Sequence, residues 1–249
     1  MDDHFQSDGL RIAAHASSAG PRGRGPAVVL THGFPSGAGG GSTAGLTFPQ
    51  LADEISSEAG CSTLTFSFRG CGASEGDFSI GGWVADVRAA IAEARRRFDP
   101  TAIWLVGFGT GGALAIRVAA EDENLAGVAT LGSPRSLRDW ARDPGRLIRH
   151  SRSLGLIRSE QFPANAGSWA RAMKDLDSVR DAGRITPRPM LIVHGADDDS
   201  VPVTDARRVA EAAGDSAELR IIPAAGHLIR YDPRAVATLL GWLERKVAL

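Results

Sequence analysis

The chain has 249 residues, 43% hydrophobic and 23% charged, which fits one soluble α/β domain over residues 1–249 with a full hydrophobic core. A formal net charge of −1 and an isoelectric point near 6.6 provide no overall field that would attract nucleic acid or an anionic membrane. The acidic start at residues 1–3 and the lack of a membrane-length apolar run argue against a signal peptide and a membrane span. Cys61 and Cys71 form no disulfide framework, so we expect free thiols and a cytoplasmic location.

The first half of the chain alternates short apolar runs with helical patterns. In chain order, the predicted elements are an edge strand at 10–16, a loop at 17–26, a buried strand at 27–30, a mobile glycine-rich tract at 37–45, a helix at 48–59, a strand at 62–68 and an amphipathic helix at 83–98. Asp99-Pro100 ends that helix.

The second half continues the alternation but is interrupted once. Its predicted elements are a strand that breaks into glycines and restarts as a helix within 102–116, strands at 127–134, 189–195 and 217–223, and helices at 204–213 and 233–247. Residues 135–184 lack a strand rhythm and are predicted to form a helical cap insertion over the sheet, with helical fragments near 137–140, 147–156 and 169–176. Strands alternating with helices predict an α/β fold with a mostly parallel sheet covered on both faces.

One glycine-rich turn lies at a position where a catalytic residue is expected. The sequence Gly107-Phe108-Gly109-Thr110-Gly111 lies between a predicted strand and helix, in the manner of a nucleophile elbow with the pattern G-x-S-x-G. Its central position holds Gly109, so the serine hydroxyl of that pattern is missing.

Three more motifs follow predicted strands, and the carboxyl ends of parallel strands meet at one edge of a sheet. They are His32-Gly33-Phe34, the segment His194 to Pro202, and Ala225-Gly226-His227. Together with the elbow and the loop from Arg69 to Gly76, similar to R-G-x-G-x-S-x-G, they resemble the α/β-hydrolase family, in its serine esterase, lipase and aminopeptidase branch. The resemblance covers about residues 27–134 and 187–248.

The resemblance implies a role for five residues. Gly109 occupies the nucleophile position, and Asp198 and His227 are the expected acid and base, in the family's order along the chain. Asp198 is selected by its spacing to Val201-Pro202, which leaves Asp197 and Asp199 as neighbouring alternatives. The backbone N–H groups of Phe34 and Thr110 are the expected oxyanion-hole donors.

Without a serine, His227 has no tethered hydroxyl to activate. Loss of the nucleophile in a serine protease lowers turnover roughly 10⁶-fold, whereas binding and the oxyanion hole retain about 10³ to 10⁴ over water. We therefore expect a weak or degenerate ester or amide hydrolase, in which a water in the space left by glycine replaces the hydroxyl. Thr110, Cys71, Ser36 and Ser133 are the substitute nucleophiles to weigh, although each also has an ordinary packing or loop role.

Three other interpretations remain open. A non-catalytic ligand-binding protein would keep the fold and pocket, and an ordinary esterase inactivated by a serine-to-glycine change would give the same chain. Gly107-x-Gly109-x-x-Gly112 also matches the dinucleotide fingerprint, but it lies mid-chain and the strand at 127–132 ends without the expected carboxylate.

The expected partner is a small molecule: an ester or amide substrate, or a ligand. Seven arginines between residues 133 and 160 make an anionic one an option, against the simpler interpretation of a solvated helix face. They are Arg135, Arg138, Arg142, Arg146, Arg149, Arg152 and Arg158. No cofactor, metal, nucleic acid or membrane is expected, and the sequence predicts no oligomeric state.

Overall fold

A computed structural model of the chain describes residues 3–18, 24–35 and 39–247. Part of the predicted loop at 17–26, Ser36 and the first residues of the glycine-rich tract lie outside these ranges. Eight strands form one sheet: β1 (Asp3–Ser7), β2 (Leu10–Ser17), β3 (Ala27–Thr31), β4 (Ser62–Phe66), β5 (Ile103–Phe108), β6 (Gly127–Leu131), β7 (Met190–Gly195) and β8 (Ala217–Ile222). Their spatial order is β1-β2-β4-β3-β5-β6-β7-β8.

The sheet is parallel from β4 to β8, and the β1–β2 hairpin extends it in antiparallel fashion. The central strands are fully buried because helices cover both faces, which is why they appear in the sequence as continuous apolar runs. The mostly parallel, doubly covered sheet predicted from the sequence is confirmed.

Helices α1 (Phe48–Ala59) and α8 (Pro233–Val247) pack on one face of the sheet. Helices α2 (Ile80–Phe98), α3 (Thr110–Glu121), α6 (Ser178–Ala182) and α7 (Val203–Ala213) pack in the hydrophobic cluster on the other face. Helices α4 (Pro144–Ser153) and α5 (Ala166–Asp175) belong with α6 to the segment 135–184. In the described part of the chain, no helix combines the length and the apolar character needed to cross a membrane.

Several predicted boundaries differ from the structure. The strand predicted at the sheet edge, now β2, is an inner strand because β1 pairs outside it. Helix α2 begins three residues before the predicted Trp83, where the Ser79 hydroxyl accepts a hydrogen bond from the N–H of Gly82. Within the predicted mobile tract, residues 40–43 form a 3₁₀ turn, with the N–H of Gly41 bonded to the carbonyl of Leu154.

Candidate active site

The turn between β5 and α3 consists of Gly109 alone. Gly109 has φ 53° and ψ −127°, a backbone conformation that favours glycine. Its N–H donates to the carbonyl of Leu131 at 2.9 Å, and its own carbonyl accepts from Ser133 Oγ at 2.8 Å. Both bonds come from the neighbouring strand β6 and the loop after it, so the tip of the turn is held in place.

The space beside Gly109 is open, in contrast to that beside the other glycines of the turn. A Cβ built on Gly109 would have only Gly33 Cα within 4 Å, at an ordinary contact distance of 3.5 Å. A Cβ on Gly107 would meet the backbone of Gly112 at 2.5 Å, and one on Gly111 would meet the carbonyl oxygen of His32 at 2.3 Å. Crowding therefore requires glycine at 107 and 111, whereas position 109 has room for a side chain.

Asp198 and His227 meet beside this turn. The Asp198 carboxylate is fully buried, and its Oδ2 lies 3.0 Å from His227 Nδ1. Its Oδ1 accepts from the N–H groups of Ser200 and Val201 at 3.0 and 2.8 Å. An ionised carboxylate only accepts, so His227 carries its proton on Nδ1, and its Nε2 is left as a proton acceptor.

The structure also separates Asp198 from its two acidic neighbours. Asp197 and Asp199 are exposed, and Asp199 accepts from the hydroxyl of Ser200 at 3.1 Å. The N–H of Asp197 donates to the carbonyl of Ala225, which ties the acid loop to the loop that carries His227. Spacing to Val201 and Pro202 therefore selects the carboxylate that reaches the histidine.

His194 lies beside the same carboxylate. Its Nε2 lies 2.9 Å from the carbonyl oxygen of Val201 and 3.3 Å from Asp198 Oδ2, and its side chain is fully buried. Because the carbonyl can only accept, the proton is on Nε2 and His194 donates it to Val201. The sequence motifs assign His194 no role, although a histidine near the end of a buried apolar strand is a usable signal.

His32 holds the loop opposite Gly109. Its Nε2 accepts from the N–H of Phe68 at 3.2 Å, so its proton is on Nδ1, which donates to the carbonyl of Gly33 at 2.7 Å. Burial lowers the pKa of His32 to about 4, and the imidazole is neutral at pH 7. The ring of Phe34 packs against those of Phe78 and Trp140, with centroids 5.2 and 4.9 Å apart.

Thr110 is the first residue of α3, so its N–H is one of the helix donors that no carbonyl of the same helix accepts. Gly33, directly before Phe34, is the close neighbour of Gly109 across the turn. Phe34, Gly109 and Thr110 line one cavity, so the two residues expected to supply oxyanion donors lie near the same turn, and the positive end of the α3 dipole lies there as well.

Two cavities meet at Gly109 and His227. The first, of about 390 Å³, lies toward the start of α1 and is lined also by Phe48, Arg230 and Tyr231; we call it the Arg230 cavity. The second, of about 470 Å³, is lined by residues 134–137, 139–140 and 200–202; we call it the Trp140 cavity. Gly33, Phe34, Gly109 and His227 line both, so a bound molecule can extend in two directions from the turn.

Two of the substitute nucleophiles, Cys71 and Ser133, are poorly placed. Cys71 is fully buried, burial raises the pKa of its thiol, and it lines neither cavity. The hydroxyl of Ser133 is used to hold the carbonyl of Gly109. Thr110 is buried and lines the Trp140 cavity, and Ser36 is outside the described residues.

The arginines of segment 135–184 mostly have partners or face solvent. Arg135 pairs with Asp205 at 3.0 Å, and Arg138 with Asp177 at 3.4 Å. Arg158 donates to backbone carbonyls of the loop after β4. Across the described ranges, no group of three or more His, Cys, Asp or Glu side chains is arranged to hold a metal ion.

Comparison with known proteins gives one family. Residues 28–239 match the model of the alpha/beta hydrolase family. The uncharacterized protein Rv2307c of Mycobacterium tuberculosis is 28% identical over 235 residues, which cover 85% of this chain and 75% of that protein.

Solved structures of the same architecture cover nearly the whole chain. The alpha/beta hydrolase GrgF from Penicillium superposes with a TM-score of 0.75 at 20% identity, covering 100% of this chain and 99% of that one. The Pyrococcus furiosus esterase PF2001 has a TM-score of 0.70 at 17% identity, covering 99% and 91%. Est1E from Butyrivibrio proteoclasticus, solved with ferulic acid, has a TM-score of 0.71 at 20% identity, covering 98% and 96%. At these identities the likeness shows the shared fold.

Proposed function

Because the chain belongs to the alpha/beta hydrolase family, we propose that it binds an ester or amide across Gly109 and hydrolyses it slowly, with a water in place of the serine hydroxyl. The observation that carries this proposal is the Asp198–His227 hydrogen bond, which leaves His227 Nε2 as a base beside an unfilled nucleophile position. The esterases among the structural neighbours lend support through their fold alone.

The proposed step is general-base hydrolysis. His227 Nε2 takes a proton from water as its oxygen attacks the acyl carbon, and Asp198 stabilises the imidazolium. The N–H groups of Phe34 and Thr110 stabilise the oxyanion of the tetrahedral intermediate. When the intermediate collapses, the C–O or C–N bond breaks and the leaving alcohol or amine takes the proton from His227. The products are a carboxylic acid and an alcohol or amine.

The expected rate is low for a physical reason. A free water must be ordered at each turnover, whereas a tethered hydroxyl has an effective molarity of about 10⁵ M or more. We expect turnover of activated esters such as p-nitrophenyl acetate to lie near the residual 10³ to 10⁴ over water found when a serine protease loses its nucleophile.

A second candidate is favoured by Gly109 itself. A protein that binds its ligand without turning it over needs the pocket and the oxyanion donors but no nucleophile. On this alternative, His227 and Asp198 serve to hydrogen-bond the ligand.

Substitutions at position 109 test the proposal. Gly109→Ser supplies the hydroxyl, so we expect labelling by a fluorophosphonate probe and faster hydrolysis of p-nitrophenyl esters. Gly109→Ala is the matched control, because its methyl fills the space of the water without supplying a nucleophile; we expect it to abolish the slow hydrolysis of the original chain. His227→Ala is expected to abolish hydrolysis in every background.

The outcomes separate the candidates. Slow hydrolysis that both Gly109→Ala and His227→Ala remove supports the water mechanism. Labelling and turnover in Gly109→Ser alone support the binding protein, or an esterase inactivated at this position. Hydrolysis by the original chain that survives Asp198→Ala and His227→Ala contradicts the site assignment.

A further inference from the structure

Arg230 is a cation that lines the cavity beside the candidate catalytic pair. It lies in a short 3₁₀ turn, Ile229–Tyr231, and is three residues after His227 in the chain. Together with Gly109 and His227 it lines the Arg230 cavity of about 390 Å³. One molecule bound in this cavity can therefore contact both the guanidinium and the space above Gly109.

This guanidinium has no carboxylate partner within 4.0 Å among the described residues. One of its terminal nitrogens donates to the backbone carbonyl of Thr47, and its Nε is buried without any hydrogen-bond acceptor. The central carbon of its guanidinium, Cζ, lies 4.8 Å from the centre of the Phe48 ring and 5.0 Å from the centre of the Tyr231 ring. Burial lowers the pKa of Arg230, and this effect outweighs the charges of Tyr231 and Glu54, which raise it.

The arginine that lines the Trp140 cavity differs from Arg230 in having an acidic partner. Arg135 also lines a cavity, but its charge is matched by the carboxylate of Asp205 at 3.0 Å. A half-buried cation without such a partner is costly to maintain, and an anion that enters the cavity would relieve that cost. The positive charge at Arg230 is therefore available to a ligand.

We propose that Arg230 is a subsite for a carboxylate carried by the substrate or ligand, at a distance from the ester or amide group that lies over Gly109. The inference rests on the proposed function only in assuming that the two cavities are where that molecule binds. A guanidinium presents paired N–H donors that match the two oxygens of a carboxylate, and the Phe48 ring supports the face of its plane. One donor is already used by the Thr47 carbonyl, and a single charge is matched by a monoanion rather than by a dianionic phosphate.

Binding of two near-isosteric amides tests the subsite without requiring turnover. Glutaramate carries a carboxylate where pentanamide carries a methyl group, and isothermal titration calorimetry measures both. We expect the original chain to bind glutaramate at least about tenfold more tightly, the size of one charge-assisted hydrogen-bonded contact. The preference is also expected to weaken as salt is added.

Three variants locate the effect. Arg230→Met keeps the apolar stem and removes the charge, so we expect it to abolish the preference. Arg230→Lys keeps the charge without the paired donors, so we expect it to retain only part of the preference. Arg208→Met removes an exposed arginine that lines neither cavity, and it is expected to behave as the original chain does.

Each result decides the inference. Equal binding of the two amides by the original chain overturns it, as does a preference that survives in Arg230→Met. If Arg230→Met does not fold, the original chain and Arg230→Lys still decide, because an unreduced preference in the lysine variant contradicts paired recognition.

Tighter binding of phenyl phosphate than of glutaramate overturns the choice of carboxylate. Selective binding without any esterase activity upholds the subsite and contradicts only the hydrolase, whereas turnover of p-nitrophenyl esters without charge preference does the reverse.

Discussion

At the scale of single residues, the glycines around position 109 differ in the physical reason that favours glycine at each position. Gly109 has a positive φ but open space, whereas Gly111 has a Cβ position only 2.3 Å from the backbone oxygen of His32. The first constraint is conformational strain, which nucleophile elbows tolerate. The second is a collision with backbone that has nowhere to move.

This difference predicts unequal costs of adding a methyl group. We expect Gly109→Ala to lower the free energy of unfolding by about 1 to 2 kcal/mol through backbone strain. Gly111→Ala is expected to cost about 3 kcal/mol or more, because the core beneath the turn must shift. Urea denaturation of both variants measures this, and a larger loss in Gly109→Ala would contradict the account of an open nucleophile position.

His32 makes the folded state sensitive to acid. Its pKa is lowered by burial to about 4 from the ordinary 6.5, so the unfolded chain binds this proton more readily. The resulting stabilisation is complete above about pH 6.5 and is lost as the pH falls through about 4. It amounts to about 3 kcal/mol, at 1.36 kcal/mol for each pKa unit.

His32→Gln removes the titration and keeps a side-chain acceptor for the N–H of Phe68. Between pH 7 and pH 4, we expect the unfolding free energy of the original chain to fall by about 3 kcal/mol more than that of the variant. Denaturant titrations at the two pH values provide the comparison, and parallel losses in both proteins would show that His32 is not the source.

At the scale of elements, one buried ion pair ties the loop after β4 to α2. The guanidinium of Arg69 meets the fully buried carboxylate of Asp86 at 2.8 Å, and Asp86 also accepts from the backbone N–H of Arg69. Arg69 further donates to Ser7 Oγ and to Asp8, next to β1. The arginine that opens the R-G-x-G-x-S-x-G motif thus joins three elements of the fold.

Removing Asp86 leaves the largely buried guanidinium of Arg69 with only the exposed carboxylate of Asp8. We expect Asp86→Ala to lower the free energy of unfolding by about 3 to 5 kcal/mol. The control is Arg142→Ala, which removes one side of the exposed Arg142–Asp139 pair and is expected to change stability by less than about 0.5 kcal/mol. Thermal and urea unfolding measure both; similar small effects would mean that Arg69 finds another partner.

At the scale of the whole molecule, Arg158 connects segment 135–184 to the loop after β4. Its guanidinium donates to the carbonyls of Gly70, Gly72 and Ser74 at 3.1 to 3.3 Å. Its own N–H and that of Ser159 donate to Asp77 Oδ1. The position of this segment beside the sheet therefore depends on side-chain-to-backbone bonds as well as on apolar packing.

Arg158→Met should loosen this connection and leave the sheet intact. We expect amide hydrogen exchange in residues 154–162 to increase about tenfold, the effect of losing roughly 1.4 kcal/mol of local protection, with exchange in β5 and β6 unchanged. Arg149→Met, at an exposed position of α4, is the control and is expected to leave exchange unaltered. Uniform acceleration across the sheet would instead indicate a loss of global stability.

The parallel core of the fold was predictable, but its antiparallel edge was not. Strands β3, β5, β6 and β7 are buried on both faces, so each is a continuous apolar run in the sequence. Strand β1, with the sequence Asp-His-Phe-Gln-Ser, buries only Phe5 and Ser7, so no apolar run marks it. Its pairing with β2 becomes visible only when the hairpin is formed.

The sequence by itself determined the order of strands and helices, the family resemblance and the glycine at position 109, because apolar periodicity and short loop motifs are local properties of the chain. Only the tertiary structure decided which arginines meet a carboxylate and which one lines a cavity without such a partner. The sequence alone does not distinguish Arg135 from Arg230. In the structure, Arg135 lies 3.0 Å from Asp205, whereas Arg230 has no carboxylate partner among the described residues. The reason is physical: charge compensation depends on contacts between residues far apart in the chain, and these exist only after the sheet and its loops have packed.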